Sequence, residues 1–237
     1  MKRKRIWLLP VLIVIALLAA FLLYTLSYYR AEPSALAALA SDDRVTVDQT
    51  GFGWAFDGPG RDAALIFYPG GKVEETAYTP LLRQTALEGM DVFLVKMPFR
   101  LAVFGADRAA DVMALYDYDR WYVGGHSLGG VMAADFAAKH AAELRGLVLL
   151  ASYPTGDLAP SLRVLSISGS EDGVLDRQKL EAGIQYLPAG AVIQVIPGGN
   201  HAQFGSYGPQ KGDGTALISP AEQWAETAAL IGEVFGG

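Results

Sequence analysis

The chain has 237 residues and no cysteine, which excludes a disulfide scaffold, a thiolate metal site and a cysteine nucleophile. Charged residues are also few, at 19% against 51% hydrophobic residues, so the chain is too apolar to be disordered and can bury a sizeable core. Basic residues are scarce beyond the N-terminus, because residues 1–30 hold five of them and no acid, which leaves a net charge of −11 on the rest. We therefore expect no nucleic-acid partner, since that affinity depends on clustered Lys and Arg.

The N-terminal region is the most apolar part of the sequence. From Ile6 to Tyr29, 21 of 24 residues are hydrophobic and none is charged. A helix rising about 1.5 Å per residue would cross a hydrocarbon core of about 30 Å within this run. Four cations precede the run and mostly acids follow it, which predicts a single-pass signal anchor with a cytoplasmic N-terminus and an extracellular domain. The alternative is a cleaved signal peptide, which would release the domain as a secreted protein.

The remaining sequence alternates short apolar runs with longer amphipathic ones. We predict three regions: a basic stub and transmembrane helix over residues 1–30, a linker or short helix over 31–44 and one folded domain over 45–237. Strand–helix alternation predicts an α/β fold with a doubly wound, mostly parallel sheet. The predicted strands are Val45–Asp48, Ala63–Tyr68, Val92–Lys96, Trp121–Gly124, Gly146–Leu150, Val164–Ser168 and Val192–Ile196. The predicted helices lie near Tyr78–Glu88, Asp107–Tyr116, Leu128–His140, Arg177–Tyr186 and Pro220–Phe235.

A G-x-S-x-G motif with Ser127 at its centre stands between a predicted strand and a predicted helix. This strand–turn–helix context is typical of a nucleophile elbow, in which the serine takes a strained backbone conformation. Glycine at 125 and 129 removes the side chains that would clash in so tight a turn. We predict Ser127 as the nucleophile. The alternative is a glycine-rich turn with an incidental serine.

An activated serine needs a base, and the chain has three histidines. His126 is next to Ser127, so its side chain leaves the turn in another direction. His140 lies at the far end of the following helix, about 20 Å away at 1.5 Å per residue. His201 follows the strand Val192–Ile196, where a doubly wound sheet carries its site residues. We therefore predict His201 as the base, the alternative being a surface or core histidine.

The base needs a carboxylate to fix its tautomer. Glu171 and Asp172 both follow the strand Val164–Ser168 in a turn-rich segment. We favour Asp172, because it precedes Gly173 and an apolar residue that turns inward, which leaves Glu171 as a solvated neighbour. The resulting chain order of serine, aspartate and histidine is that of an α/β-hydrolase triad.

The oxyanion of a tetrahedral intermediate needs two hydrogen-bond donors. One is predicted to be the backbone N–H of Leu128, directly after the nucleophile. The other is predicted in the loop Pro69–Lys72, where Gly71 allows an N–H to point into the site without a Cβ. Lys72 is the alternative donor, and an ordinary β-turn is the alternative interpretation of the loop.

These motifs together resemble the α/β-hydrolase superfamily, and within it the small, nearly capless relatives of dienelactone hydrolases, the fold-5 type. The segments that carry the resemblance are Phe67–Val73, Leu101–Gly105, Gly124–Gly130, Gly169–Asp172 and Gly198–Gly205. The resemblance implies a serine hydrolase that acts on esters or similar acyl compounds, needs no cofactor or metal, and uses Ser127, Asp172 and His201. Dienelactone hydrolases use a cysteine nucleophile, so their lactone substrate is not carried over to this cysteine-free chain.

The segment Ala151–Arg163 is too short for the helical lid that many relatives insert there. We therefore expect an open site, walled by Phe99, Leu101, Val103 and Phe104 and by the loop Phe204–Thr215 after the histidine. The alternative is that the aromatic residues fill the core. Lys96 is interpreted as a surface residue rather than part of the cleft. The expected function is ester hydrolysis through an acyl-enzyme, on a small-molecule substrate. The alternatives are a noncatalytic binding domain and an acyltransferase that uses an alcohol in place of water.

Overall fold

The computed structural model of the protein describes residues 8–60 and 62–236. Its strands are β1 Thr46–Gln49, β2 Gly53–Asp57, β3 Ala63–Tyr68, β4 Asp91–Val95, β5 Arg120–His126, β6 Gly146–Leu150, β7 Arg163–Gly169 and β8 Val192–Ile196. Its α-helices are α1 Leu8–Leu26, α2 Pro33–Ala37, α3 Thr79–Leu87, α4 Arg108–Met113, α5 Leu128–Lys139, α6 Arg177–Gly183 and α7 Pro220–Phe235. Short 3-10 turns cover Glu75–Tyr78, Pro98–Arg100, Ala102–Phe104, Ile184–Tyr186 and Ala202–Phe204.

The eight strands form one sheet in the order β1-β2-β4-β3-β5-β6-β7-β8. The pairs β1/β2 and β2/β4 are antiparallel, and every other pair is parallel. Parallel strands need long crossover connections, and helices supply them except between β6 and β7, where residues 151–162 contain no helix. The α/β fold with a mostly parallel sheet, predicted from strand–helix alternation, is confirmed.

Both faces of the sheet are buried, and alternate residues of each strand face different cores. In β3, Leu65 and Phe67 belong to the core that α3 and α7 cover, whereas Ile66 and Tyr68 belong to the core on the other face, covered by α4 and α5. All six residues of β3 are buried, which explains its continuous apolar run in the sequence. The central strands are therefore packed on both faces, and the carboxyl ends of the parallel strands lie at one edge of the sheet.

The predicted elements agree with the structure most closely in the centre of the domain. Strands β3, β6 and β8 and helix α7 have the predicted bounds. Strand β2 was missed, because it starts at Gly53 and pairs antiparallel outside the regular alternation. Helix α4 ends at Met113 instead of Tyr116.

The apolar run Ile6–Tyr29 does not form one helix over its whole length. Helix α1 ends at Leu26, and Tyr29 pairs as a parallel bridge with Val73 of the domain. Ile6, Trp7 and the basic stub lie outside the described residues. Over the ranges 8–60 and 62–236, no helix has both the length and the apolar character that crossing a membrane requires. The predicted membrane-spanning helix is therefore not confirmed, and the prediction is corrected at its C-terminal end, where Tyr29 belongs to the fold.

The segment predicted as a linker packs on the domain. The N–H of Glu32 donates to the carbonyl of Ser206 at 2.9 Å, and the Ser206 hydroxyl donates to the Glu32 carboxylate at 2.9 Å. Ala35, in α2, is fully buried. Residues 29–35 therefore pack on the loops that follow β3 and β8.

Candidate active site

The predicted site residues all follow the carboxyl ends of parallel strands. Ser127 follows β5, Asp172 follows β7, His201 follows β8 and Gly71 follows β3. These ends lie at one edge of the sheet, which is where open α/β folds assemble their sites.

Ser127 has a backbone conformation that non-glycine residues rarely adopt, with φ 52° and ψ −123°. The turn holds it through its N–H, which donates to the carbonyl of Leu150 at 2.9 Å. A Cβ added at Gly129 would lie 2.2 Å from the Tyr68 carbonyl oxygen, and one at Gly125 would lie 2.6 Å from the backbone of Gly129. Glycine is required at both positions because backbone atoms, which cannot move aside, fill the space.

Asp172 and His201 form a buried pair. The Nδ1 of His201 lies 2.9 Å from Oδ2 of Asp172, and both side chains are almost fully shielded from solvent. The other carboxylate oxygen, Oδ1, accepts from the N–H groups of Val174 and Leu175. Burial by itself would raise the pKa of Asp172, but the hydrogen bond and charge of His201, with these two N–H groups, hold the pKa below its usual value. The carboxylate is therefore ionised and fixes the imidazole through Nδ1.

The loop after β3 brings Gly71 against the first turn of α5. A Cβ at Gly71 would lie 2.9 Å from Cδ2 of Leu128, so the loop packs directly on the Leu128 side chain. The N–H of Leu128 opens the helix and has no intrahelical acceptor. The N–H of Lys72 donates to the carbonyl of Arg100 at 2.8 Å, so it is already used. Of the two donors predicted for this loop, Gly71 is the one whose N–H has no partner within the described part of the chain.

Ser127, Leu128 and His201 line one cavity of about 300 Å³. The other lining residues are Val131, Ala151, Ser152, Tyr153, Val174, Leu175, Asp176 and Lys179. Residues 151–162, all of them described, contain no helix, so the cavity is not covered by a lid there. None of the apolar residues Phe99–Phe104 lines this cavity, so the expectation that they form its wall is wrong for this pocket.

Tyr78 and His126 form a buried hydrogen-bonded pair that contacts both the loop of Gly71 and His201, a role that the sequence analysis did not assign. The Tyr78 hydroxyl accepts the N–H of Gly70 at 2.9 Å and is hydrogen bonded to Nδ1 of His126 at 2.8 Å. The His126 ring lies 4.4 Å from the His201 ring. Burial, with the nearby His201 as a further cause, holds the pKa of His126 well below its usual value, and burial raises the pKa of Tyr78. Both side chains are therefore neutral, and they connect the loop of Gly71 to the ring of His201.

Asp213 joins the loops of Asp172 and His201, and no sequence motif marked it. Its carboxylate accepts from the N–H groups of Gly173 at 3.1 Å, His201 at 3.3 Å and Ala202 at 2.8 Å. On the other side of the His201 loop, the buried Gln223 amide makes two hydrogen bonds to the backbone of Asn200. The position of the imidazole is thus fixed from two directions.

The residues that the sequence analysis set aside lie outside the site. His140 ends α5, stacks on Phe136 and pairs with Glu143 at 2.8 Å. Glu171 accepts from the Ser170 hydroxyl at 2.8 Å. Lys96 is mostly exposed, with its Nζ 3.5 Å from Glu75.

The sheet order and the positions of these loops define an α/β-hydrolase architecture. Residues 64–225 match the model of the alpha/beta hydrolase family, which is more than half of the chain. The protein therefore belongs to the alpha/beta hydrolase family, and the resemblance predicted from the sequence motifs is confirmed. Among curated proteins, none matches the chain.

Several solved structures share the fold at low sequence identity. A dienelactone hydrolase from Anabaena variabilis is 15% identical with a TM-score of 0.59, over 81% of this chain and 98% of its own. Carboxyl esterase 2 from the fungus Tuber melanosporum is 13% identical with a TM-score of 0.60, over 87% and 89%. A bacterial membrane phospholipase A is 15% identical with a TM-score of 0.60, over the full length of both chains. At these identities the likeness shows the fold, which is common to enzymes named for different substrates.

Proposed function

We propose that the protein is a serine hydrolase that cleaves carboxylic esters through an acyl-enzyme. The observation that carries the proposal is the buried Asp172–His201 pair, which lies at the sheet edge where Ser127 occupies a strained turn. Strain at a serine that lines a cavity with an imidazole is typical of a nucleophile elbow. The esterase and the phospholipase A among the structures with this fold support the same class of reaction.

In the proposed first step, His201 takes the proton of the Ser127 hydroxyl as the oxygen attacks the carbonyl carbon of the ester. Asp172 stabilises the imidazolium that forms, as its low pKa allows. The N–H groups of Gly71 and Leu128 donate to the oxyanion of the tetrahedral intermediate, a contribution of about 3 to 4 kcal/mol per donor in enzymes of this kind.

The intermediate then collapses. The bond from the carbonyl carbon to the alcohol oxygen breaks, and the alcohol leaves with the proton from the imidazolium. Water attacks the acyl-enzyme in the same way, with His201 again taking the proton, and releases the carboxylic acid and free Ser127. The residues named here complete both half-reactions, so the proposal includes no cofactor or metal.

The proposed localisation is the outer face of the cell membrane, with the N-terminus in the cytoplasm. The support is the sequence itself: four cations precede the apolar run that starts at Ile6, and acids follow it. Cleavage of this segment would release the domain as a secreted enzyme.

A fluorophosphonate probe tests the proposal directly, because it reacts with an activated serine. We expect one label per chain on Ser127 in the wild type and none in Ser127→Ala. Ser161→Ala, which removes an exposed hydroxyl elsewhere, is the matched control and should label fully. Labelling that survives in Ser127→Ala would overturn the assignment. A folded wild type that neither labels nor turns over p-nitrophenyl butyrate would favour a noncatalytic domain.

A further inference from the structure

The chain has an exposed apolar surface that the proposed chemistry does not use. Helix α1 is apolar throughout, and consecutive large residues from Val11 to Ile15 are each more than half exposed. Since successive residues of a helix point 100° apart, these side chains face every direction. A helix that is apolar on all sides is suited to burial in an apolar phase and not to packing along one stripe.

The surface continues onto the domain. Phe99, Val103 and Phe104 are about half exposed, and Phe21 of α1 packs edge-to-face on two of them, with ring centroids 5.3 Å from Phe99 and 5.9 Å from Phe104. Phe99 also has a positive φ of 54°, which costs free energy in a non-glycine residue. We call Phe21, Phe99, Val103 and Phe104 the aromatic patch.

Paired cations and tyrosines border the patch. The ammonium of Lys72 lies 4.1 Å from the centre of the Tyr24 ring, and the guanidinium of Arg100 lies 3.5 Å from the Tyr28 ring. Tyrosine is enriched where a bilayer meets water, and Lys or Arg there attracts anionic headgroups. The apolar patch therefore matches the hydrocarbon region of an anionic bilayer, and its cationic border matches the headgroups.

The patch lies at the same edge of the sheet as the candidate site. It follows the carboxyl end of β4, which is parallel to β3. Its backbone is joined to the loop of Gly71, because the N–H of Lys72 donates to the carbonyl of Arg100. A surface that covers the patch would therefore lie at the same edge of the sheet as Ser127.

We infer that the aromatic patch docks on an anionic lipid bilayer and that the substrate class is acyl esters of that bilayer. The substrate part rests on the proposed function, whereas docking does not. Contact through the patch turns the sheet edge toward the lipid, so an ester at the headgroup level reaches Ser127 without leaving the bilayer surface.

The absence of cysteine allows one probe to be attached at a chosen residue of the full chain. We would label Phe104→Cys with an environment-sensitive fluorophore in vesicles of equal phosphatidylcholine and phosphatidylglycerol. Leu115→Cys is the control, since Leu115 is exposed and apolar but lies before β5, at the opposite edge of the sheet. We expect nitroxide lipids to quench the probe at 104 and to leave the probe at 115 unquenched.

Equal quenching at the two positions, or none at 104, would overturn docking. A probe at 104 that is shielded from water yet unquenched by lipid would show that a second copy covers the patch, which also overturns it. Phe104→Asp should lower the ratio of turnover on vesicle phosphatidylglycerol to turnover on p-nitrophenyl butyrate, and an unchanged ratio would contradict the substrate class. Failure of the proposed function is distinguishable, because Ser127 would then not label whatever the probe reports.

Discussion

The loops of Asp172 and His201 are held by side-chain hydrogen bonds, whereas the loop of Gly71 is held by backbone pairing with the N-terminal part of the chain. On the first side, Asp213 and Gln223 satisfy backbone groups of both loops. On the second, the N–H of Tyr29 donates to the carbonyl of Lys72, and the N–H of Glu74 donates to the carbonyl of Tyr29, both at 2.8 Å.

The two sides also differ in backbone conformation. Lys72, Phe99 and Arg100, all around the loop of Gly71, have positive φ values of 59°, 54° and 57°. Each costs free energy that the surrounding contacts must offset. The side of Asp172 and His201, the proposed acid–base side, is thus fixed by side-chain hydrogen bonds. The side of Gly71, the proposed oxyanion side, depends on a distant segment that holds strained residues in place. We expect the oxyanion side to be the more easily perturbed by changes far from the site.

The largest effect is expected on the acid–base side. Asp172→Asn leaves the size of the side chain nearly unchanged but favours the wrong imidazole tautomer, so kcat should fall by about 10⁴-fold. Turnover of p-nitrophenyl butyrate measures it. Glu171→Gln changes the adjacent carboxylate, which contacts Ser170 and not the base, and should leave kcat unchanged. An equal loss in both variants would remove Asp172 from its assigned role.

An intermediate effect is expected on the oxyanion side. Tyr29→Pro removes the N–H that binds Lys72, so the N–H of Gly71 should shift and kcat should fall by about 10- to 100-fold, less than the loss of a whole donor. KM should change little, because the substrate pocket is not touched. Tyr29→Phe keeps the backbone bond and loses only the hydroxyl that accepts from Lys211, so it serves as the control. A folded Tyr29→Pro variant with normal kcat would show that this side does not depend on the N-terminal segment.

The smallest effect concerns stability and tests the neutral histidine that connects the two sides. Burial, with His201 next, holds the pKa of His126 well below its usual value of 6.5. Below that pH the unfolded chain binds a proton that the native protein does not, so the free energy of unfolding should fall on acidification, by up to about 1.4 kcal/mol per pH unit. Asp172 also has a lowered pKa, but its contribution is lost only below its usual value of 3.8.

Urea unfolding between pH 7 and about pH 5 measures this slope. His126→Asn keeps a polar partner for Tyr78 and cannot titrate, so its stability should fall less steeply over the range. Parallel curves for the wild type and His126→Asn would contradict a neutral buried His126.

The sequence predicted the central sheet and the three principal site residues because their signals are local. Continuous apolar runs mark strands such as β6, and the motif around Ser127 needs only five adjacent residues. His201 was reached by elimination among three histidines. Asp172 was chosen over Glu171 from the residues that follow it, and the structure pairs Asp172 with His201. Their catalytic roles stay a prediction until the labelling and kinetic tests are done.

The parts that the sequence did not reveal depend on contacts between distant segments. Asp213 lies in an unremarkable loop, and its importance comes from N–H groups of Gly173 and His201 that only the fold brings near. Tyr29 ends an apolar run, so its composition favoured membrane burial over strand pairing. Strand β2 has only three consecutive apolar residues, between Gly53 and Asp57, and so lacks the continuous apolar run that marks β6. For Tyr29 and β2 the deciding interaction is a backbone hydrogen bond, which nearly every residue type can make, whereas for Asp213 it is a carboxylate that accepts from backbone N–H groups of distant loops.

The pairing of Tyr29 also bears on how the protein should be shortened for study. The family match begins at residue 64, and a fragment chosen from it, or one started at Ala31, would leave the carbonyl of Lys72 and the N–H of Glu74 without their partners. Such a fragment could bind an inhibitor at Ser127 and still give misleadingly slow turnover. A shortened chain should therefore begin before Tyr28, so that the peptide groups on both sides of Tyr29 are retained.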